Sequence, residues 1–292
     1  MTAATLTAPH SASPTWQRFR DAFRRHPTAI IGGVVLALMV LIALLAPWLG
    51  TVDPQALSPA QRLKPPSGEH WFGTDMLGRD VYSRVLYGAR ISLAVGIAVA
   101  ALSVAIGLAI GMVTGFVRWL DAIVMRVMDG LMSIPSVLLA IALMALTKAS
   151  VGNVIAAITV AEVPRVVRLV RGLVLSLREQ PFVEAAIAAG TNLPLILTRH
   201  ILPNTAAPLL VQGTYICASA MIVEAILSFI GAGTPPNVPS WGNIMAEARS
   251  LFQIAGYLIF FPGFFLSLTV LAVNLVGDGM RDALDPRLAR RM

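Results

Sequence analysis

The stretch 181-PFVEAAIAAGTNLPLILTRHILP-203 interrupts two long apolar runs and reads as two short helices joined by a turn. Pro181 suits a first helical position, where its missing N–H costs nothing, and Glu184 falls in the first turn, where a carboxylate meets the positive helix end. Gly190 predicts the stop, because glycine enters the left-handed conformation that ends a helix without strain. Asn192 is then placed to cap a second helix that ends in Arg199 and His200 beside Pro203. Phe182, Ala185, Ala186 and Ala189 recur at i, i+3, i+4, i+7 and form one small, shallow face. Such a face can slot against a partner or pack on the ends of the protein's own helices, and the residues alone leave both open.

What surrounds that stretch is membrane protein. Of 292 residues 57% are hydrophobic and 13% charged, and the mean hydropathy is +0.76, which leaves too little polar surface for a soluble globule. Charge-free apolar runs occupy 29–49, 91–117, 130–147, 151–161, 201–223 and 251–277, and most exceed the roughly 20 residues that span a bilayer. The expected fold is therefore all-α and polytopic, with six transmembrane helices; the fourth run is long enough only if it continues through Glu162 and Arg165. The net charge of +7 comes from basic residues at helix flanks, with no aromatic-interleaved basic domain, so it points to membrane lipid and not to nucleic acid. Cys217, the single cysteine, lies in an apolar run and reads as an inert core residue.

In chain order, 1–28 reads as a cytoplasmic tail and an interfacial helix. Trp16, Phe19 and Phe23 share one face while Arg18, Arg20, Arg24 and Arg25 take the others, although a simple positive flank explains the same residues. The run 29–49 is too long for a signal-peptide core of roughly 7 to 15 residues and reads as an anchor helix. An external segment, 50–90, carries Pro54, Pro59, Pro65 and Pro66; a five-span core, 91–280, follows, and 281–292 is a cytoplasmic tail. Gly107, Gly111 and Gly115 form a small-residue ridge for close helix approach. Arg126 and Asp129 are spaced to pair with each other, and Pro135 predicts a kink in the third span. Glu162 and Glu224 lie in or beside apolar runs, where charge is costly and faces a cavity or a partner; for Glu162, a local pair with Arg165 competes with a substrate contact. A metal role for His70, Asp75 and Asp80 is disfavoured, since no Cys or His recurs at ligand spacing and the glycine and aromatic neighbours read as a packed elbow.

Glu184-Ala185-Ala186, then Gly190, then His200-Ile201-Leu202-Pro203 resemble the EAA loop of ABC importer permeases. The resemblance implies a cytoplasmic docking helix seated in a cleft of an ATPase subunit, with Phe182, Glu184, Ala185, Ala186, Ala189, Gly190, His200 and Pro203 at the contact. His70 to Asp75, Leu77 to Val81 and Tyr87 to Leu93 are similar to the peptide/nickel branch of that family, the DppC/OppC type. So are 129-DGLMSIP-135, 224-EAILSFIGAG-233, the Pro235 to Gly242 loop that would face incoming solute, and 274-NLVGDGMRD-282 with 284-LDPR-287, so that the likeness runs from Trp16 to Arg287. Glu162, Arg165, Glu224 and Trp241 become candidates for pore or gate. Glu162-Val163 departs from the polar or aromatic pair, such as Ser-Trp, looked for in the fourth span.

The chain has no Gly-x-x-x-x-Gly-Lys-Ser/Thr loop, so no cofactor is expected in it and ATP is expected on a separate motor. An intramembrane enzyme would need converging catalytic groups, yet His10, His26, His70 and His200 are scattered from tail to inner loop. A stand-alone secondary transporter or channel is the alternative, and no internal repeat favours it. The expected function is the permease subunit of an ATP-driven importer of a small peptide or related solute. The resemblance implies a second, DppB-like permease, two ATP-binding subunits and an external solute-binding protein; dipeptides, longer peptides, nickel chelates and glutathione all remain open as solutes. The expected location is the bacterial inner membrane with both termini cytoplasmic, because that arrangement puts fifteen Lys and Arg inside and seven outside.

Overall fold

The computed structural model describes residues 27–284; the tail with Trp16, Phe19 and Phe23 and the final 285–292 lie outside the described residues. Among these residues the chain is helical, with only an isolated bridge between Thr74 and Asp80. Apolar surroundings require each backbone N–H and C=O to be satisfied within its own segment, which an α-helix does. Helix α1 is Pro27–Leu45, followed by a 3-10 turn at Ala46–Trp48; α2 is Val81–Phe116, α3 Arg118–Met132, α4 Ser136–Ala145 and α5 Val151–Leu177. Short helices α6, Pro181–Ala188, and α7, Leu193–Ile196, lead through a π turn into α8, Leu202–Phe229; α9, Trp241–Ala248, and α10, Tyr257–Leu284, complete the bundle.

Four helical stretches, Pro27–Trp48, Val81–Phe116, Leu193–Phe229 and Tyr257–Ala283, are long and apolar enough to cross a membrane, and α3 with α4 makes a fifth if the pair is one broken span. That pair corrects the expected kinked third span: its two halves meet at 89°. Pro135 disfavours helical backbone at the residue before it and sits itself in an extended conformation, so α3 stops and α4 restarts behind it. Helix α5 runs unbroken for 27 residues through Glu162, Pro164 and Arg165, absorbing the short fourth run; its charges keep it out of the apolar set. The end of 50–90 is helical. Helix α2 starts at Val81 because Asp80 caps it, accepting from the Ser83 backbone N–H at 2.8 Å and the Ser83 hydroxyl at 2.7 Å.

The α2–α5 seam sets the register of the bundle. A Cβ at Gly107 would stand 2.5 Å from Val166 Cβ and one at Gly111 2.6 Å from Val170 Cβ, while one at Gly115 would collide with Val174. Glycines four apart on one helix thus meet valines four apart on the other, in parallel, and the missing side chains let the backbones close. Helix α1 packs antiparallel on α10, with Gly32 against Leu275 and Gly279 against Ala29. One hydrophobic core joins α2, α4, α5 and α8, and a second gathers α1, α2, α9 and α10 around Trp241. Asp129 pairs with Arg168 of α5 at 2.5 Å, not with Arg126, and Arg171 pairs with Asp121. Residues three apart on one helix share a side, but a partner on the adjacent helix lies straight across.

Candidate functional site

The 181–203 loop hangs from the end of α5. Arg178 follows the last residue of α5 and its guanidinium donates to the Gly115 carbonyl in the last turn of α2 at 3.2 Å, and only Glu179 and Gln180 separate it from α6. Pro181 occupies the first turn of α6, Glu184 stands exposed in the same turn, and the N–H groups of Val183 and Glu184 donate to the Gln180 carbonyl at 2.9 and 3.1 Å. The helix ends in paired reverse bonds, Thr191 N–H to Ala186 O at 3.0 Å and Gly190 N–H to Ile187 O at 2.9 Å, with Gly190 at φ +80°. This is the Schellman closure, which needs a left-handed residue at Gly190's position.

Val183, turned about 100° from the small-residue stripe, is the residue that α6 buries, with zero exposure. Phe182, Ala185 and Ala189 are exposed and Ala186 is half-buried, so the stripe faces away from the bundle. Of the two uses open to that face, packing on the protein's own helix ends is not the one observed. Leu193 and Leu195 of α7 are exposed as well, and so is Ile187, which stands one turn after Val183 on the other side of α6. Half-buried His200 lies 6.3 Å from the Phe182 ring, and Pro203 is exposed where α8 begins. Ile196 and Ile201 are buried and, with Val183, tether the loop to the core. Asn192 holds the cap position of α7 but makes no side-chain cap bond; its carbonyl takes the N–H groups of Leu195 and Ile196 instead.

The remaining candidates lie elsewhere. Glu162 is 1% exposed and accepts from Arg165 at 3.0 Å, the local pair expected from their spacing. Glu224, fully buried near the far end of α8, accepts from the Ser228 and Ser240 hydroxyls at 2.8 Å each. Ser240 also caps α9, so the positive end of that helix faces Glu224. Trp241, expected to face incoming solute, has zero exposure; its indole N–H donates to the Val85 carbonyl at 3.0 Å and its ring fills the second core. A ring flanked by proline and glycine reads as a surface loop, yet the start of α9 lies in contact with α2.

Sequence reasoning missed the ionic cluster at this end. Arg84, 2% exposed, donates to Asp75 at 2.6 Å and to both carboxylate oxygens of Glu247 at 2.6 and 3.1 Å, while Arg79 donates to Asp75 at 2.6 Å and Glu247 at 2.5 Å. Arg84 lies in the proline-bearing segment read as external. The available signal was 80-DVYSR-84, an acidic cap opening a helix with arginine in its first turn. His70 lies 3.2 Å from Asp80, and Phe72 stacks on Phe261 at 4.0 Å, which makes 70–80 the packed elbow its composition suggested.

The comparisons with known proteins agree with this architecture. Residues 87–290 match the family model described as binding-protein-dependent transport system inner membrane component, and residues 14–66 match that of the N-terminal TM domain of oligopeptide transport permease C. A probable peptide ABC transporter permease of Sinorhizobium fredii is 57% identical over 268 residues, 92% of each chain. The dipeptide transport system permease DppC of Alkalihalophilus pseudofirmus is 40% identical over 96% of this chain and 92% of its own. The glutathione transport system permease GsiD of Escherichia coli is 41% identical over 99% and 96%. With the matched region covering most of the chain and taking in both the exposed α6 face and the α2–α5 seam, this protein belongs to the family of inner-membrane components of binding-protein-dependent transport systems.

Proposed function

We propose that this chain is the peptide-translocating permease subunit of an ATP-driven importer, and that α6 is its docking helix. The observation that carries the reading is the outward face of α6: Phe182, Ala185 and Ala189 stand exposed on a helix whose only buried residue is Val183, and Leu193 and Leu195 of α7 are exposed as well. An apolar patch of this kind marks an interaction surface. Its occupant is an ATP-binding subunit; Ala186, Glu184 and Gly190 shape the helix, and His200 and Pro203 fix its far edge. Movement of that subunit pulls on Val183, Ile196 and Ile201, and through the short 178–180 connection on α5. The assembly comprises a second permease, two ATP-binding subunits and an external binding protein. Its solute is a peptide, as the names of the relatives support.

In this reading six crossings are α1, α2, the broken α3–α4 pair, α5, α8 and α10, with both termini and α6 cytoplasmic. Glu224 and Trp241 then belong to the external end, where they hold α9 in place. The test is reconstitution in vesicles with the cognate partners and a panel of di- and tripeptides. ATP-dependent uptake that stops when the ATP-binding subunits are omitted is expected. Uptake by this chain alone, driven by an ion gradient, would overturn the reading in favour of a secondary transporter.

A further inference from the structure

Helix α5 carries charge at a depth where charge needs water or a partner. The glycine–valine seam gives that depth: Gly107, Gly111 and Gly115 meet Val166, Val170 and Val174, so one turn earlier on both helices stand Ser103 and Glu162. Ser103 lies at the centre of the charge-free run 91–117 of α2. Arg165, the fifteenth residue of α5, is itself about 20 Å from either end of that helix at 1.5 Å per residue. Glu162 is turned into the bundle at 1% exposure, whereas the Arg165 side chain is 53% exposed and reaches back to it. One turn before Glu162 on α5 the buried Thr159 Oγ1, and on α2 the buried Ser103 Oγ, have no hydrogen-bond partner among the described residues, so the surroundings of the pair are not purely apolar.

A half-exposed guanidinium at mid-membrane does not face lipid, because ionisable groups at that depth line a cavity or meet a partner. On the face of α5 that carries it, half-buried Ala161 lies one turn before, and exposed Arg168 and Gly172 lie one and two turns after. Arg168 and Arg171 are each held by a carboxylate of α3. Arg165 gives one terminal nitrogen to Glu162, and its planar fork of five N–H donors keeps an edge toward the open side. That edge matches a carboxylate, which it can bind through two parallel hydrogen bonds.

On the reading that this chain is a permease, we infer that Arg165, oriented by Glu162, is a carboxylate-binding site on the solute route, and that the transported solute carries a free carboxylate. Glu162 is the positioning residue. By sharing the guanidinium it also weakens the hold on the solute, as a translocation site requires, since solute that enters must leave.

The test uses the single cysteine. Cys217 is buried, so a thiol placed at half-buried Ala161, one turn before Arg165 on the same helix, reports on the site in the assembled transporter in native membranes. Ala161→Cys is expected to react with an anionic sulfonatoethyl thiosulfonate about tenfold faster than with its cationic trimethylammonium counterpart. Val34→Cys in the apolar α1 is expected not to react. Adding Arg165→Gln removes the preference, and the double change Glu162→Gln with Arg165→Gln does the same without leaving a buried carboxylate unpaired. Alanylalanine is expected to slow the labelling and alanylalanine amide to leave it unchanged. No reaction with either reagent would mean that the face is sealed against the second permease, and a charge preference that survives loss of Arg165 would place its source elsewhere; either overturns the inference. Charge preference with protection by non-peptide carboxylates, in a system that imports no peptide, would keep this site and refute the peptide reading alone.

Discussion

At the residue scale, Gly190 shows how narrowly one position is specified. A Cβ there would meet nothing within 4 Å, so space is not the constraint; the φ of +80° is. Gly190→Val forces a β-branched residue into that conformation at a cost of about 1 to 3 kcal/mol and should unravel the end of α6, whereas Gly190→Asn, whose side chain tolerates the left-handed region, should be far milder. Both variants are expected to insert and accumulate. Only Gly190→Val should lose co-purification with the ATP-binding subunits, and equal behaviour of the two would detach the turn from docking. Arg84 presents the opposite case, a side chain specified by its partners. Arg84→Ala leaves Asp75 and Glu247 facing each other without that cation in a largely buried site, and breaking a buried pair in this way costs about 3 to 5 kcal/mol. The checking measurement is the melting temperature of the purified protein, with Arg90→Ala, an exposed position on the same helix, as the reference expected to stay near wild type.

At the element scale the α2–α5 seam makes glycine obligatory where helix propensity argues against it. Gly→Ala in an exposed helix interior is worth up to about 1 kcal/mol in favour of alanine. Gly130, with nothing within 4 Å of its Cβ position, should follow that rule. At Gly111 the new methyl would lie 2.6 Å from Val170 Cβ and 2.9 Å from the Val167 carbonyl, so Gly111→Ala should destabilise by about 1 to 3 kcal/mol, the usual range for overpacking. Thermal unfolding in detergent should therefore move in opposite directions for the two variants. If Gly111→Ala were as stable as wild type, the seam would not be the rigid contact that sets the register of Glu162 against Ser103.

At the scale of the whole molecule, orientation is the open quantity that charge decides. The bias of fifteen basic residues to seven predicts that a reporter fused after Gly190 reads cytoplasmic and one at Pro236 reads external. Reversed signals would put α6 on the wrong side for any ATP-binding subunit. The same two ends differ in construction. The α6 end exposes apolar side chains on a short helix, whereas the other end buries its polar groups in linked clusters, Asp75 with Arg79, Arg84 and Glu247, and Glu224 with Ser228 and Ser240. Hydrogen bonds and ion pairs linked in this way resist rearrangement of that end.

Sequence alone determined the class, most of the helices, the turn at Gly190 and the small-residue ridge, and it offered the Glu162–Arg165 pair as one of two readings, because each rests on composition or on spacings within one helix. It also carried the resemblance that the family match bears out. Tertiary structure alone decided which way the α6 stripe faces, that Trp241 is core, that α3 and α4 meet at 89°, and that Asp129 answers to Arg168. Arg84 and Glu247 are 163 positions apart, and no local period connects them. The physical reason is the same throughout. Helix formation in an apolar medium is satisfied within each segment, while burial of a face or of a charge depends on what a distant segment brings against it.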